Sequence, residues 1–424
     1  MPAYSGRAEE GASVGDVLLW VPRVVFFPVY LVTEFVLRRP LGLLITAAER
    51  GRWIEEITEA FTFGPTNNIG IVPTALLDFG FQTSVGVYMF YDDFLSKGNA
   101  FRVHAAFGGT DWLRLTVADR IPVDENSYFK LRFEGSQRPD FQFFGIGPES
   151  KKENLSKYKA KWLDFSANFF AQVKEGNSFE LYNSLRTVGF DAVGNADPTE
   201  PGADPAENAN LADRVKAGQL SLPPGFDGYT AYRQGLRVTL DSRKPRPAPG
   251  TGLRLDLGGE HAIDLRRPGS SRWVRYGAAV GGFLDLTGTN RVVSLSVNTQ
   301  FADPLDDDGV PFTELVQLGG DQAMRGFRPG RLMGRSSAVA TLEYRYPIWA
   351  TLDGAAQVAM GNVFGAHLDG FDPELMRLAF TFGIRTAGER DHSFDILFGA
   401  GTETFKDGAA LNSVRFVLGA TRTF

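Results

Sequence analysis

The chain has 424 residues, a mean hydropathy of -0.14 and a formal net charge of -6. These values argue against a membrane protein built of helices, which would carry several apolar runs of about 20 residues, and against the basic footprint of a nucleic-acid-binding protein. There is no cysteine, which excludes disulfides and thiolate metal sites.

Residues 1–65 differ from the rest and are predicted to form a helical segment. Val17–Leu37 is almost entirely apolar, but prolines and charged residues interrupt it, so a membrane-spanning helix here would be costly. An amphipathic helix at the membrane interface, or at the mouth of a barrel, avoids that cost. A second helix is predicted from Leu41 to Phe61. The alternative is a helix that only tethers the chain. No signal peptide is recognisable, so the sequence is interpreted as a mature exported form.

From residue 66 to residue 424 the dominant pattern has a period of two. In Phe129–Glu134, Phe, Leu and Phe alternate with Lys, Arg and Glu. This alternation is typical of strands between lipid and a wet lumen, and it keeps the mean hydropathy near zero despite 35 phenylalanines. A soluble β-sandwich also has alternating strands, but these segments reach about 10 residues and their polar faces carry many charges. The pattern therefore favours a transmembrane β-barrel.

Sixteen such segments predict an all-β fold, a 16-stranded antiparallel transmembrane β-barrel preceded by the amphipathic helical segment. They start near residues 69, 83, 99, 111, 127, 157, 178, 228, 250, 272, 290, 337, 351, 376, 391 and 412. Short connections alternate with long ones, namely Arg138–Lys157, Asp191–Asp227, Asp303–Ser336 and Asn362–Leu375. Outer-membrane barrels have short periplasmic turns and long outer loops, so an even strand count places all four on the outer side. The second is predicted to contain a short helix around Leu211–Leu220.

Four motifs occur in the order, and between the strands, expected for one known family. Phe143–Pro148 reads FFGIGP, and the third long connection contains Leu318-Gly319-Gly320 followed by Met324-Arg325-Gly326-Phe327. Leu342–Pro347 reads LEYRYP, and Gly361–Phe364 reads GNVF. Together these motifs resemble the signature loops and strands of the BamA/TamA-type outer-membrane assembly factors, the bacterial surface antigen barrels.

The resemblance implies that the connection carrying Arg325 folds back into the lumen. Gly326 lets the backbone turn tightly, and an arginine can reach a carboxylate on the inner wall. Glu343 and Arg345 share the parity that faces the lumen, so Glu343 is the expected partner of Arg325, with Arg345 and Gln357 also in the lumen. The alternative is an exposed loop whose arginine is solvated.

The sequence departs from the family pattern in two places. Ala359 stands where the family has an aspartate on the thirteenth strand, so one acidic anchor of the loop is missing. No POTRA module, the periplasmic domain that normally precedes such barrels, fits within residues 1–65. Client capture would then depend on the N-terminal helices, or on a periplasmic or lipoprotein partner that replaces the modules.

The ends of the barrel predict a weak seam where the first strand meets the sixteenth. Pro73 in the first strand cannot donate a ladder hydrogen bond, and Gly419 lies in the last. Unpaired edges of this kind can template an incoming strand. The terminal Phe424 resembles the sorting signal of outer-membrane barrels. Alternatively, Pro73 marks only a ragged strand start.

No catalytic or metal-binding constellation is found, because the four histidines are scattered and there is no nucleophile elbow or phosphate-binding loop. The chain is predicted not to be an enzyme and to need no cofactor. The leading hypothesis is a bacterial outer-membrane barrel, surrounded by outer-membrane lipids, that inserts or exports unfolded client proteins without nucleic acid. The alternatives are a passive or substrate-selective pore, or a scaffold that docks a lipoprotein or a second barrel. Homodimerisation is left open.

Overall fold

The computed structural model describes residues 59–64, 66–194, 209–244, 250–349, 352–386 and 392–423, together with isolated positions between residues 24 and 56. Within these residues, sixteen long strands form one closed antiparallel barrel, which confirms the predicted fold class. We number them β1 to β16. Each strand pairs with its neighbours in sequence, and β16 pairs with β1 to close the ring.

Every predicted segment start lies within two residues of an observed one. The strands are β1 Ile69–Asp78, β2 Ser84–Asp92, β3 Ala100–Gly109, β4 Trp112–Pro122, β5 Ser127–Phe143, β6 Ser156–Lys174, β7 Asn177–Asp191, β8 Tyr229–Asp241, β9 Gly252–Asp264, β10 Arg272–Asp285, β11 Val292–Pro304, β12 Ser336–Trp349, β13 Leu352–Phe364, β14 Arg377–Thr386, β15 His392–Thr402 and β16 Leu411–Thr423.

The two faces of the wall follow the predicted alternation. On β5, Phe129, Leu131 and Phe133 are exposed on the face that points away from the lumen. Glu134 on the opposite face is buried and forms ion pairs with arginines of β4 and β5. Charges pair with one another inside the barrel because a charge on the lipid face would be strongly destabilising.

The long connections all follow odd-numbered strands and therefore lie at one end of the barrel. They are residues 144–155, 192–228, 305–335 and 365–376, whereas 123–126 and 175–176 at the opposite end are short. Since the long loops of an outer-membrane barrel are extracellular, we call these the outer end and the periplasmic end. Helix α1, Leu211–Lys216, lies in the second long connection and ends earlier than the sequence predicted.

Most of residues 1–65, with most of both predicted helices, lies outside the described residues. The described positions Val24 and Phe27 are helical, and Thr62–Phe63 pairs with Ile69–Gly70 at the periplasmic end of β1. In the described part of the chain, no helix is both long and apolar enough to cross a membrane.

Candidate functional site: the inner loop and the seam between β1 and β16

The connection between β11 and β12, residues 305–335, turns back into the lumen, and we call it the inner loop. Its two arms pair through the short strands Val316–Leu318 and Leu332–Gly334, and the apex between them carries the predicted motif. Met324 and Phe327 of the apex are fully buried. They belong to one apolar cluster with inward-facing residues of three barrel strands, Val339, Ala359, Val363 and Ala379.

The motif glycines are required because the apex approaches the wall closely. Gly319 and Gly320 have φ angles of +93° and +64°, in the region that favours glycine. The N–H of Gly320 donates to the carbonyl oxygen of Phe327 at 2.9 Å. A Cβ on Gly326 would collide with the carbonyl oxygen of Ala400 on β15. A side chain at Gly326 would therefore push the apex away from the strand.

Arg325 forms its ion pair with β15 and not with the residue expected from the sequence. Its Nη2 lies 3.0 Å from Oδ2 of Asp395. Glu343 instead pairs with Arg385 at 2.8 Å and accepts a hydrogen bond from Gln357 at 3.3 Å. The structure thus corrects the predicted pair of Arg325 with Glu343, although both line one small cavity. The physical reason is that Arg385 already neutralises Glu343.

The remaining predicted lumen residue, Arg345, lies further towards the periplasmic end. Its Nε is 3.9 Å from Oδ2 of Asp353 on β13. Arg345 therefore belongs to the charged inner wall and not to the part of the wall on which the apex of the inner loop packs.

The packing around Ala359 explains why an alanine, and not the aspartate of the family pattern, occupies this position. Ala359 is 1% exposed and lies in the apolar cluster of Met324 and Phe327. An aspartate there would be a buried charge among apolar groups, which is unfavourable without a partner. The acidic anchor that the family pattern has on β13 is supplied in this chain by Asp395 on β15.

Sequence reasoning missed Arg415 of β16, which links the inner loop to both strands of the seam. Its buried guanidinium donates to Asp78 of β1 through Nε at 3.2 Å and Nη2 at 2.9 Å. Nη1 donates to the carbonyl oxygen of Gly320 at 2.6 Å and to that of Arg325 at 3.4 Å. A signal was present, because Arg415 is the only charged residue in Leu411–Gly419 and has inward parity.

The seam itself is short. In the described residues, the ladder of β1 and β16 places Leu76, Leu77 and Asp78 opposite Gly419, Leu418 and Val417, and one further backbone hydrogen bond runs from the N–H of Phe79 to the carbonyl oxygen of Phe416 at 3.0 Å. By contrast, β5 and β6 pair from Ser127 to Phe143. Gly419 has a φ of +132°, and a Cβ there would collide with the carbonyl oxygen of Ala75. A larger residue at Gly419 would therefore force the strands apart.

Towards the periplasmic end, β1 has other neighbours. Pro73 faces Val87 of β2, and the described residues contain no β16 partner for it. Thr62–Phe63 pairs with Ile69–Gly70, and since β2 occupies the opposite edge, this pairing uses the edge of β1 that faces the seam. Phe424 lies outside the described residues.

A second charged anchor, also missed by sequence reasoning, holds one arm of the inner loop. Glu314 accepts a hydrogen bond from the hydroxyl of Tyr229 at 2.6 Å. Guanidinium nitrogens of three arginines also lie near its carboxylate oxygens, at 3.5 Å for Arg186, 3.5 Å for Arg275 and 3.8 Å for Arg233. Burial by itself raises the pKa of Glu314, but Arg233, Arg186 and Arg275 outweigh it and lower the pKa below its ordinary value. The carboxylate therefore stays ionised and fixes the arm to β7, β8 and β10.

The same arm carries the centre of an aromatic core. The Phe312 ring centroid lies 5.9 Å from Phe143, 5.4 Å from Tyr158, 5.0 Å from Phe190 and 5.8 Å from Phe226. These residues come from β5, β6, β7 and the connection before β8. The inner loop and the outer-end strands thus share one packed core on this side of the lumen.

A closed 16-stranded barrel with an inward-folded loop of this sequence defines a class of outer-membrane barrel. A family model described as "Omp85 superfamily domain" matches residues 93–369, more than half of the chain. The chain belongs to the Omp85 superfamily. It is a non-enzymatic protein of the bacterial outer membrane. Among the described residues, no group of His, Asp or Glu is arranged to hold a metal ion.

A solved structure has the same fold, and a second one is less similar. BamA from Haemophilus ducreyi lacking POTRA domains 1-3 is similar with a TM-score of 0.55 and 14% identity, covering 83% of this chain and 70% of that chain. CdiB from Acinetobacter baumannii has a TM-score of 0.48 and 10% identity, covering 83% of this chain and 60% of that chain. A comparison with curated protein sequences finds no match. At 14% identity the likeness to BamA shows the fold alone.

We expect Asp395→Asn to loosen the apex of the inner loop, because it removes the carboxylate that pairs with Arg325 while preserving side-chain size. Leaving a buried charged donor unsatisfied costs about 1–3 kcal/mol, so local opening should become roughly tenfold more frequent. The measurement is the rate of trypsin cleavage after Arg325 or Arg328 in the folded barrel.

Glu343→Gln is the matched control for this experiment, since Glu343 pairs with Arg385 and not with Arg325. Its cleavage rate should stay near that of the unmodified chain. Equal acceleration in both variants, or in neither, would contradict the assignment of Asp395 as the anchor.

Proposed function

We propose that this barrel inserts client proteins into the outer membrane, or exports them across it, by opening the seam between β1 and β16. The observation that carries the proposal is a seam of three residue pairs held from the lumen by Arg415. A ladder hydrogen bond contributes about 0.5–1.5 kcal/mol net. Because this seam has so few of them, β1 and β16 should separate more easily than any other neighbouring strands of the described barrel.

Parted strands would offer edges that an unfolded client can use. Residues 71–75 of β1 and 420–423 of β16 form no pair with each other in the described part of the chain. Pro73 also removes one donor from this stretch of β1. Open strand edges bind extended peptides by adding them as a new strand, so a strand of an outer-membrane or exported protein is the expected ligand.

Arg415 would couple this opening to the inner loop. The same guanidinium bonds Asp78 across the seam and the carbonyl oxygens of Gly320 and Arg325 in the loop. Removing the hydrogen-bond acceptors of a buried arginine strongly destabilises the folded structure. Displacing the loop would therefore weaken the closed seam, and opening the seam would weaken the seat of the loop, as reciprocal coupling requires.

A disulfide across the seam is expected to abolish client insertion. Leu77→Cys with Leu418→Cys places cysteines on paired residues, and the chain has no cysteine of its own. The measurement is the rate at which an unfolded outer-membrane barrel becomes protease-resistant in vesicles containing the protein. Oxidation should lower this rate to that of empty vesicles, and reduction should restore it.

Val297→Cys with Ala340→Cys is the matched control, because it joins the paired strands β11 and β12 away from the seam. Its oxidation should leave the insertion rate unchanged. An oxidised seam variant that inserts clients as fast as its reduced form would show that the seam is not the route.

We expect Arg415→Met to loosen the seam and the inner loop together. The cysteine pair at 77 and 418 should form its disulfide more slowly, and trypsin should cleave the inner loop faster, each by roughly tenfold, because one side chain holds both parts. Arg385→Met, which removes only the pair with Glu343, should leave disulfide formation unchanged. A response in only one of the two readouts of Arg415→Met would contradict the coupling.

We further propose that residues 1–65 pack on the outside of the barrel at its periplasmic end, in the membrane interface. Leu342 of β12 faces outward and is 39% exposed, but Tyr344, Tyr346 and Ile348, which share its parity, are only 3, 0 and 9% exposed. These three residues form one apolar cluster with Leu286, and a segment lying over the wall would complete their burial. The N-terminal segment reaches the barrel at Thr62–Phe63, at this same end.

The exposed positions of the N-terminal segment support the same placement. Val24 and Phe27 are helical and 50 and 53% exposed, as expected for a helix whose other side packs on protein while this side meets lipid. This segment is our candidate for the site that receives clients or a periplasmic partner.

Labelling with a lipid-soluble maleimide tests this placement. Leu342→Cys should react readily, whereas Tyr346→Cys should react only when residues 1–58 have been removed. Equal labelling of both positions in the full chain would show that the segment lies elsewhere.

A further inference from the structure

A groove on the lipid-facing wall crosses β2 to β7 in the outer half of the barrel and encloses about 1040 Å³. Val87, Phe107 and Leu163 line it and are about half exposed, so its surface is mainly apolar. Its depth comes from small residues between these larger ones, such as Ala105, Gly135 and Gly189. The groove therefore differs from the even, convex wall that a barrel normally presents to lipid.

The outer rim of the groove carries cations. Lys161 of β6 lies across Gly189, where an added Cβ would stand 3.2 Å from its Cε, so its stem follows the wall while its ammonium group reaches the rim. Arg266 enters from the connection between β9 and β10. Neither cation forms an ion pair with a described carboxylate.

The other charged groups at this rim are Lys159, Asp111 and Asp191, and Asp191 lies opposite Lys159 in the ladder of β6 and β7 and accepts a hydrogen bond from the N–H of Val193. Asp111 forms an ion pair with Lys159 at 2.8 Å and accepts a hydrogen bond from Gln137 at 3.1 Å. The rim therefore keeps a net positive charge directly above an apolar groove. That combination complements an amphiphile with an anionic head group and apolar chains.

We propose that this groove binds a phosphorylated, multiply acylated glycolipid of the outer leaflet. Its phosphates would lie against Lys161 and Arg266, and its acyl chains would fill the groove below them. Five inter-strand spacings of about 4.8 Å make the groove roughly 24 Å wide, which is room for several acyl chains side by side and more than the two of a phospholipid. The position of both cations at the outer end selects the outer leaflet. This site does not depend on the proposed insertion activity.

The test is a titration of the full chain in detergent with purified diphosphoryl lipid A, read by native mass spectrometry. Lys161→Glu with Arg266→Glu should weaken binding by about tenfold or more, because two attractions for phosphate become repulsions. Ala105→Trp should also weaken binding by filling the groove without changing its charge. Heat-dependent electrophoretic migration verifies that each variant is a folded barrel.

Lys151→Glu with Lys152→Glu is the matched control, since it makes the same change of charge on exposed residues that do not line the groove. Its lipid A binding should be unchanged, and a loss equal to that of the groove variant would overturn the site. Unchanged binding in both groove variants would overturn the proposal outright. Phosphatidylglycerol that binds as tightly as lipid A, with the same losses, would overturn the assignment to a glycolipid. Lipid A without phosphates should bind about tenfold more weakly, and equal binding would remove the role of the cations.

Discussion

The guanidinium of Arg415 holds together three parts of this barrel, namely β16 that carries it, β1 through Asp78, and the apex of the inner loop through Gly320. Arginine suits this position because its planar fork presents two parallel donors to a carboxylate and keeps further N–H groups for a carbonyl oxygen. Lysine, a point charge on a flexible stem, could not hold this geometry. Because a buried guanidinium is stable only while its acceptors stay in place, the closed seam and the inserted loop each stabilise the other.

The seat of the loop shows how charge and volume are divided along the wall. Phe327 packs where Ala359 and Gly401 leave room, and a Cβ on Gly401 would meet its ring. The charged contact of Arg325 lies on the same strand as Gly401, nearer the periplasmic end of β15, at Asp395. An acid at position 359 would both fill the aromatic seat and bury a charge among apolar groups. Ala359 therefore makes room for the aromatic ring, while Asp395 on β15 provides the negative charge that Arg325 needs.

The strands could be predicted from the sequence because each segment lies between lipid and a wet lumen, which imposes the period of two locally. The parity of Glu343 and Arg415 likewise follows from their own strands. The partner of Arg325 could not be predicted, because Glu343 and Asp395 both face inward. Arg385 lies directly opposite Asp395 in the ladder of β14 and β15, yet it pairs with Glu343, which is two strands away on β12, and so leaves Asp395 to Arg325. Glu314 was missed for a related reason, since its three arginines come from strands that are distant in sequence.

The inner loop spans two regions of the barrel that differ in stability. Its arm, with Phe312 and Glu314, is fixed in the aromatic and charged core against β5 to β8, next to the longest strand pairing of the wall. Its apex, with Arg325, rests on β15 and reaches the short seam through Arg415. Local opening favours regions with few buried contacts and few backbone hydrogen bonds, so the apex side opens at lower cost than the arm side. In the proposed mechanism the apex would therefore leave the seam while the arm keeps the loop tethered in the lumen, and the seam would open and close without unfolding of the loop.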